Sequence, residues 1–325
     1  MTLTNWGTSN GIHARLCYII NMKIGIFDSG LGGLIIAKAI RKMMPEYDYV
    51  YLGDTKRVPY GNRSHDTVFE FTRECVDYLF RKENCAIVIV ACNTASARAL
   101  RRLQKEYLPP PSLPLAKGEV PKAEGVFQRK VLGVLIPAVE ECAKFENIGV
   151  LGTRGTVDSD TFPVEIKKFN KRAKVFQNSA PMLVPLAEEG ETKNAGQFIE
   201  KYLEPFKNKK LDALVLGCTH YPIFKKQIKK ILNGSQGQSL RKEITLISQD
   251  EIIPKKLKDY LHRHQEVTKK LSKNHTARIL VTDMTKSVEK LTKKWFGKVE
   301  PELIHLTPSP SPWQGEGGRR PGEVL

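Results

Sequence analysis

Two cysteines of this 325-residue chain occupy the same kind of position. Cys92 follows the apolar run V-I-V-A, and Cys218 follows the similar run L-V-L-G, so each thiol comes directly after a strand-like segment. A lone cysteine there is usually a small buried hydrophobe. Asn93 and Thr94, however, place hydrogen-bonding groups beside the first thiol at the expected start of a helix, a position that lowers a thiol pKa. His220, two residues after the second thiol, is a candidate base for it.

The chemistry of the two thiols depends on whether they act together. A cysteine–histidine pair alone indicates an acyl-transfer nucleophile, but a thiol hydrolase needs one nucleophile and gives the second cysteine no role. Two thiols on opposed strand ends fit another reaction, in which one removes a proton from a carbon and the other returns a proton to the opposite face. The pair therefore favours stereochemical inversion by two bases. The remaining cysteines lie in helical patterns, just before a strand or near the N-terminus: Cys75, Cys142, Cys85 and Cys17.

Two further loops at predicted strand ends carry polar residues. The segment D-S-G-L-G-G begins at Asp28, and its glycines allow a tight turn before a helix whose N-terminus suits a carboxylate or phosphate. The dinucleotide spacing G-x-G-x-x-G and the lysine of a P-loop are both absent from it. The segment V-P-Y-G, which contains Tyr60 and Gly61, is by itself ordinary turn chemistry. Neither loop alone predicts a specific site.

The elements that must position these residues alternate between apolar runs and amphipathic segments. Near-continuous apolar strands such as 86–90 and 211–216, separated by helical patterns such as 67–81, predict parallel sheets covered on both faces, an α/β architecture. The segment I-G-I-F at residue 24 is echoed by I-G-V-L at residue 148, at nearly the same spacing as the two cysteine segments. This repeat predicts two pseudo-symmetric parallel-sheet α/β domains that face each other across the active site.

The domain boundaries follow from composition. The N-terminal residues are polar and lack any period, and a later segment rich in proline, lysine and glycine cannot continue a helix or bury a face. The C-terminal residues have a similar composition. We expect a disordered leader at 1–21, a first domain of 22–137 plus 224–300 that contains an insertion at 109–128, a second domain at 138–223, and a disordered tail at 301–325.

Composition and charge narrow the class of protein. Fifty-two basic and 35 acidic residues give a net charge of +17, but the lysines come as spread pairs without interleaved aromatic residues, which is typical of solvated helix faces. Nucleic-acid binding is therefore the less favoured interpretation. No run approaches the roughly 20 apolar residues of a membrane span, and no signal-peptide cleavage site is evident. Six cysteines without a C-x-x-C pair predict neither a disulfide framework nor a zinc site. We expect a reduced, cytoplasmic protein without membrane binding.

Four motifs in order, D-S-G-L-G-G, G-D-T-K-R-V-P-Y-G, A-C-N-T-A-S and G-C-T-H-Y-P, resemble the glutamate racemases. The resemblance covers about residues 23–297, apart from the insertion. It implies a bacterial, cofactor-independent isomerase that supplies D-glutamate for peptidoglycan, and hence for cell-wall biogenesis and cell shape, and it implies a homodimer. A racemase of aspartate or another amino acid stays open as an alternative, as does a catalytically silent binding protein.

The resemblance also implies roles for individual residues. Cys92 would deprotonate D-glutamate with the help of Asp28, and Cys218 would deprotonate L-glutamate with the help of His220. The family's glutamate in V-P-L-x-E-x-G falls on Glu188, with Glu189 as the less favoured choice. No pyridoxal lysine or metal cluster is evident, so we expect no cofactor and no metal. The implied substrate contacts are hydroxyl, amide and backbone groups of Asp28, Ser29, Tyr60, Gly61, Asn93, Thr94, Thr219 and His220.

Overall fold

The computed structural model describes residues 21–107, 128–234 and 243–306. The predicted leader and insertion lie almost wholly outside these ranges, as does the chain beyond residue 306. Ten strands in the described residues form two sheets, and every strand pairing is parallel. The strands are β1 Lys23–Asp28, β2 Tyr49–Gly53, β3 Cys85–Val90, β4 Lys130–Gly133, β5 Asn147–Gly152, β6 Lys174–Ser179, β7 Ala213–Gly217, β8 Thr245–Ser248, β9 Ala277–Val281 and β10 Pro301–Leu303.

Helices connect the strands and cover the sheets. Several begin with a side chain that accepts a hydrogen bond from the first helical turn, as Ser64 does from the backbone N–H of Thr67. The helices are α1 Gly33–Met43, α2 His65–Arg81, α3 Asn93–Arg98, α4 Leu100–Glu106, α5 Leu135–Cys142, α6 Arg154–Val157, α7 Thr161–Phe169, α8 Leu183–Glu188, α9 Gly196–Leu203, α10 Lys225–Gly234, α11 Gln249–Arg263, α12 Gln265–Thr268 and α13 Lys286–Trp295.

The central strands are buried on both faces, as their continuous apolar sequences predict. Every residue of β2, β3 and β7 is buried, because helices pack on the two sides of each sheet. One large hydrophobic cluster contains residues of both sheets, including Ile26 of β1 and Leu216 of β7. The α/β class and the parallel sheets predicted from the sequence are confirmed.

The two sheets share one connectivity. The first has six strands in the order β10-β9-β2-β1-β3-β4, and the second has four in the order β6-β5-β7-β8. The central order β2-β1-β3-β4 of the first therefore corresponds to β6-β5-β7-β8 of the second. This matches the sequence repeat, because β1 corresponds to β5 and β3 corresponds to β7. The two cysteine segments consequently leave equivalent strands.

The structure differs from the sequence-based boundaries at two strands. β8 was expected in the first domain, which was to resume at residue 224, but it pairs with β7 and so extends the second sheet. β10 was expected in the disordered tail, but it pairs with β9 at the edge of the first sheet, and Ile304 just beyond it is buried. In both cases backbone hydrogen bonds to a neighbouring strand decide which sheet the segment joins, and composition carries no information about these bonds.

Candidate active site

The candidate residues leave the carboxyl ends of neighbouring parallel strands, where open α/β sheets place their ligand sites. Asp28 is the last residue of β1, and Ser29 follows it. Cys92 lies two residues after the end of β3, which pairs with β1. Cys218 directly follows β7 at the equivalent place in the second sheet. Each thiol is thus positioned by a fully buried strand.

The Cys92 thiol lies in a polar but enclosed setting. Its sulfur donates a hydrogen bond to the Ser29 hydroxyl at 3.3 Å and accepts one from the backbone N–H of Ala95 at 3.5 Å, so that Cys92 caps α3. Burial raises the pKa of the thiol to about 12, and the negative charge of Asp28 adds to this effect. The expectation that the helix start lowers the pKa is wrong here, because these two effects outweigh the hydrogen bonds from Ser29 and Ala95.

The Cys218 thiol belongs to a chain of three side chains. His220 Nδ1 lies 3.9 Å from Cys218 Sγ, and His220 Nε2 lies 3.0 Å from Glu188 Oε1. Burial disfavours a charged imidazole, but the interactions with Cys218 and Glu188 outweigh it and raise the pKa of His220 to about 10. The imidazole is consequently protonated at neutral pH, with one N–H directed to the sulfur and the other to the carboxylate.

Asp28 links the two thiol environments electrostatically. Its Oδ1 accepts a hydrogen bond from the backbone N–H of Gly30 at 3.0 Å, whereas its buried Oδ2 has no hydrogen-bond partner of normal geometry among the described residues. Burial raises the pKa of this carboxyl, and the positive charge of His220 opposes that rise. The negative charge of the same carboxyl raises the pKa of Cys92. Asp28 therefore lies within electrostatic range of both thiol environments.

The glycine loop after β1 reaches the second thiol's histidine. A Cβ atom on Gly32 would lie 2.5 Å from both His220 Nδ1 and Thr219 Oγ1, a distance that no side chain tolerates. Only glycine therefore allows the loop of the first sheet to contact the C-T-H segment of the second. Tyr51 holds this loop by donating a hydrogen bond to the carbonyl of Gly30 at 2.7 Å.

Comparison with known proteins identifies a family whose members are similar to this chain in sequence and in fold. The Asp/Glu/Hydantoin racemase family model matches residues 35–238. The glutamate racemase of Aquifex aeolicus is 37% identical over 288 residues, which are 87% of this chain and 97% of that protein. The chain belongs to the glutamate racemase family. Because a racemase is an isomerase, membership of this family makes the chain an isomerase.

Solved structures of the glutamate racemase family have the same fold. A crystal structure of Francisella tularensis glutamate racemase in complex with D-glutamate has a TM-score of 0.73 and 30% identity, covering 88% of this chain and 98% of that one. The structure of glutamate racemase from Aquifex pyrophilus has a TM-score of 0.65 and 36% identity, covering 87% of this chain and 97% of that one. The structural similarity to these racemases therefore includes both sheets of this chain.

Four of the substrate contacts expected for a glutamate racemase are engaged by protein neighbours. Tyr60 is 1% exposed, and its hydroxyl donates a hydrogen bond to Asp54, so its side chain offers no free group. Its neighbour Gly61 packs against Thr153, where an added Cβ would lie 3.1 Å from Thr153 Cβ. The hydroxyls of Thr94 and Thr153 lie 2.9 Å apart. The amide of Asn93 pairs with Gln249, as described below.

Sequence reasoning missed three residues that contact the candidates. Thr153 follows β5 at the position that Ser29 holds after β1, so the repeat could have revealed it. The ring of Trp295 meets that of His220 edge to face, with 5.7 Å between the ring centroids. Gln249 begins α11 directly after β8. Neither Trp295 nor Gln249 lies in a motif, so nothing in the sequence pointed to them.

The candidate site is enclosed in this structure. Cys92 and Cys218 are each 6% exposed. A cavity of about 580 Å³ lies elsewhere, between α4, α5 and α11, and neither thiol lines it. In the described part of the chain, no cluster of three or more histidine, cysteine or acidic side chains is arranged to hold a metal ion. No helix within the described ranges is both long and apolar enough to cross a bilayer.

Proposed function

We propose that this chain interconverts L-glutamate and D-glutamate by a cofactor-independent, two-thiol mechanism. The observation that carries the proposal is the pair of cysteines on equivalent strand ends, each with its own polar partners. Cys92 has the Ser29 hydroxyl, and Cys218 has the His220–Glu188 pair. A negative charge on Cys218 raises the pKa of Cys92, so the two sulfurs lie within electrostatic range of each other. The D-glutamate bound to the Francisella tularensis relative supports the choice of substrate.

In the L-to-D direction, Cys218 acts as the base. Its thiolate takes the α-proton of L-glutamate, so that an S–H bond forms as the Cα–H bond breaks and the electron pair stays on the α-carbon. The Cys92 thiol then gives its proton to the opposite face of that carbon, which yields D-glutamate and leaves a Cys92 thiolate. The raised pKa of Cys92 suits this resting state, because the thiol carries its proton at neutral pH and can serve as the acid.

In the D-to-L direction the roles are exchanged. Cys92 must first be a thiolate. The nearby Asp28 carboxylate would pair with the ammonium group of the substrate. The charged His220 interacts with Cys218 while that thiol returns its proton to the α-carbon. The hydroxyls of Ser29 and Thr219, the second amide N–H group of Asn93 and the backbone N–H of Thr94 would bind the two carboxylates. Such groups, aimed at developing charge, contribute about 3 kcal/mol each where single donors have been removed.

We also propose the biological setting that the family resemblance implies. The D-glutamate product would supply peptidoglycan synthesis in the cytoplasm, and the enzyme would act as a homodimer. Sedimentation equilibrium tests the last point, because a mass equal to one chain at micromolar concentration would contradict it. Nucleic-acid binding is not part of the proposal, since the exposed lysine pairs are accounted for as solvated helix faces.

The reaction is tested by incubating the protein with L-glutamate in D₂O without added cofactor. We expect loss of the α-hydrogen NMR signal together with loss of optical rotation. Exchange without racemisation would mean that one thiol works alone. Turnover of L-aspartate but not L-glutamate would leave the two-thiol mechanism standing and show that the substrate is wrong.

The two thiols are tested by Cys92→Ala and Cys218→Ala. Each change removes one acid or base, so we expect racemisation to fall by about 10³-fold or more. Cys142→Ala is the control, because Cys142 is also a buried free cysteine but lies on α5 away from the candidate site. Racemisation near the parent rate in either thiol variant would contradict the mechanism.

A further inference from the structure

We propose that Gln249 is a positioning residue of this active site, which holds the carboxamide of Asn93 in one orientation beside Cys92. The inference rests on the proposed function, because it concerns how the same site is assembled. Gln249 lies 156 residues from Asn93 in the chain and belongs to none of the motifs that identify the family.

The observation is a reciprocal pair of amide hydrogen bonds. Asn93 Nδ2 donates to Gln249 Oε1 at 2.7 Å, and Gln249 Nε2 donates to Asn93 Oδ1 at 2.6 Å. Both residues are almost fully buried, at 2% and 1% exposure. Since each amide presents its oxygen to the other's N–H group, neither can flip without bringing like groups together. The pairing therefore fixes which way the Asn93 carboxamide points.

The pair joins elements that belong to different sheets. Asn93 is the first residue of α3 and follows Cys92 directly. Gln249 is the first residue of α11 and follows β8 of the second sheet. Gln249 Nε2 also donates to the carbonyl of Val134 at 3.3 Å, which anchors its side chain against the turn after β4. The start of the helix that Cys92 caps is thus tied to the second sheet by a buried side chain.

The remaining hydrogen-bonding capacity of Asn93 explains why this orientation matters. A carboxamide has two N–H groups and an oxygen with two lone pairs. The pair with Gln249 uses one N–H group and one lone pair, which leaves a second N–H group available to an anionic substrate. An unpaired Asn93 amide could rotate about its side-chain bonds, and that donor would then be directed correctly for only part of the time.

The test is a double-mutant cycle with glutamate as substrate. Gln249→Met keeps the side-chain length but removes both hydrogen bonds, and we expect the KM for both enantiomers to rise about tenfold. The same change in an Asn93→Ala background should have almost no further effect on KM, because Gln249 acts through Asn93. Gln104→Met is the matched control, since the Gln104 amide also donates to a backbone carbonyl, that of Val131 in β4.

Two outcomes overturn the proposal. Equal effects of Gln249→Met in the two backgrounds would mean that Gln249 acts independently of Asn93. An unchanged KM in Gln249→Met would mean that the orientation of Asn93 is irrelevant to binding. Both are distinct from failure of the proposed function, which the parent protein would reveal by leaving L-glutamate unchanged in D₂O.

A second test does not require catalytic activity, so it applies even if the parent protein does not turn over glutamate. The rate at which iodoacetamide modifies Cys92 and Cys218 is followed by mass spectrometry of their peptides. Loss of the Gln249 pair should loosen the start of α3, so we expect Cys92 to be modified several-fold faster while Cys218 is unchanged. Equal acceleration of both thiols would indicate general destabilisation and would contradict the positioning role.

Discussion

In the proposed mechanism, His220 supports the chemistry of the second thiol. It lies between Cys218 and Glu188, and these two partners keep it charged although it is buried. Glu188 is the nearer partner, and its carboxylate favours the imidazolium because opposite charges attract across a site with little water. The family resemblance leaves Glu189 as the less favoured choice for this carboxylate, and Glu189 is exposed and has no contact with His220 among those described.

Glu188→Gln should shift the pH dependence of racemisation. Removing the negative charge lowers the pKa of His220 from about 10, so the imidazolium loses its proton at a lower pH. We expect the alkaline limb of kcat for L-glutamate to move to lower pH, and activity at neutral pH to fall about tenfold. Glu189→Gln is the control and should leave the profile unchanged. An unaltered alkaline limb in Glu188→Gln would show that this carboxylate does not support His220.

Residue types predicted where the two thiols lie in the fold better than they predicted the surroundings of the expected substrate contacts. The positions of Cys92 and Cys218 followed from apolar runs that end in a polar residue, a local pattern. The side chain of Tyr60 is different, because its use depends on Asp54 and on packing against Phe27 and Phe71. Folding decides whether a side chain is free to bind substrate, and the local sequence does not show that the Tyr60 hydroxyl bonds to Asp54.

At the scale of elements, the loop between β1 and α1 connects the two thiol environments. Gly32→Ala tests this contact, because the new Cβ would overlap His220 and Thr219 unless one of them moved. A displacement of about 1 Å in a catalytic group can cost on the order of a hundredfold in rate. We expect a loss of that size in kcat, with the melting temperature changed by only a few degrees.

The matched control for this substitution is Gly196→Ala. Gly196 begins α9, and an added Cβ there meets nothing within 4 Å. Alanine is the better helix former by roughly 0.5–1 kcal/mol, so this variant should be as active as the parent and no less stable. Full activity in Gly32→Ala would contradict the inferred contact between the loop and His220.

Some strands could be predicted from the sequence, whereas their pairing into sheets could not. Strands such as β3 and β7 are continuous apolar runs, and the repeat correctly indicated that the halves are alike. β6, in contrast, has the mostly polar sequence K-V-F-Q-N-S at a sheet edge and was not predicted. β8 was expected in the first domain but belongs to the second sheet, because pairing with β7 is a long-range choice. Gln249 was missed for the same reason.

At the scale of the molecule, the two sheets are joined close to the candidate site. The Thr94 and Thr153 hydroxyls are in contact across this junction, and the Arg98 guanidinium donates to the carbonyl of Gly155 at 3.1 Å. Farther out, Arg101 on α4 pairs with Glu165 on α7. In this pair the Arg101 side chain is exposed, whereas the Glu165 side chain is buried. Substrate can reach the buried site only if contacts at this junction separate.

The exposure of the cysteines tests this opening directly. Cys92 and Cys218 are 6% exposed, whereas Cys75, Cys85 and Cys142 are fully buried in the core. Because closure over substrate excludes water and reagents, saturating D-glutamate should slow the modification of Cys92 and Cys218 by iodoacetamide at least several-fold. The three core cysteines react only through unfolding, so they provide the control in the same sample. If glutamate slowed the modification of Cys142 as much as that of Cys92, the protection would reflect general stabilisation. If it slowed neither active-site thiol, glutamate would not bind between the two sheets.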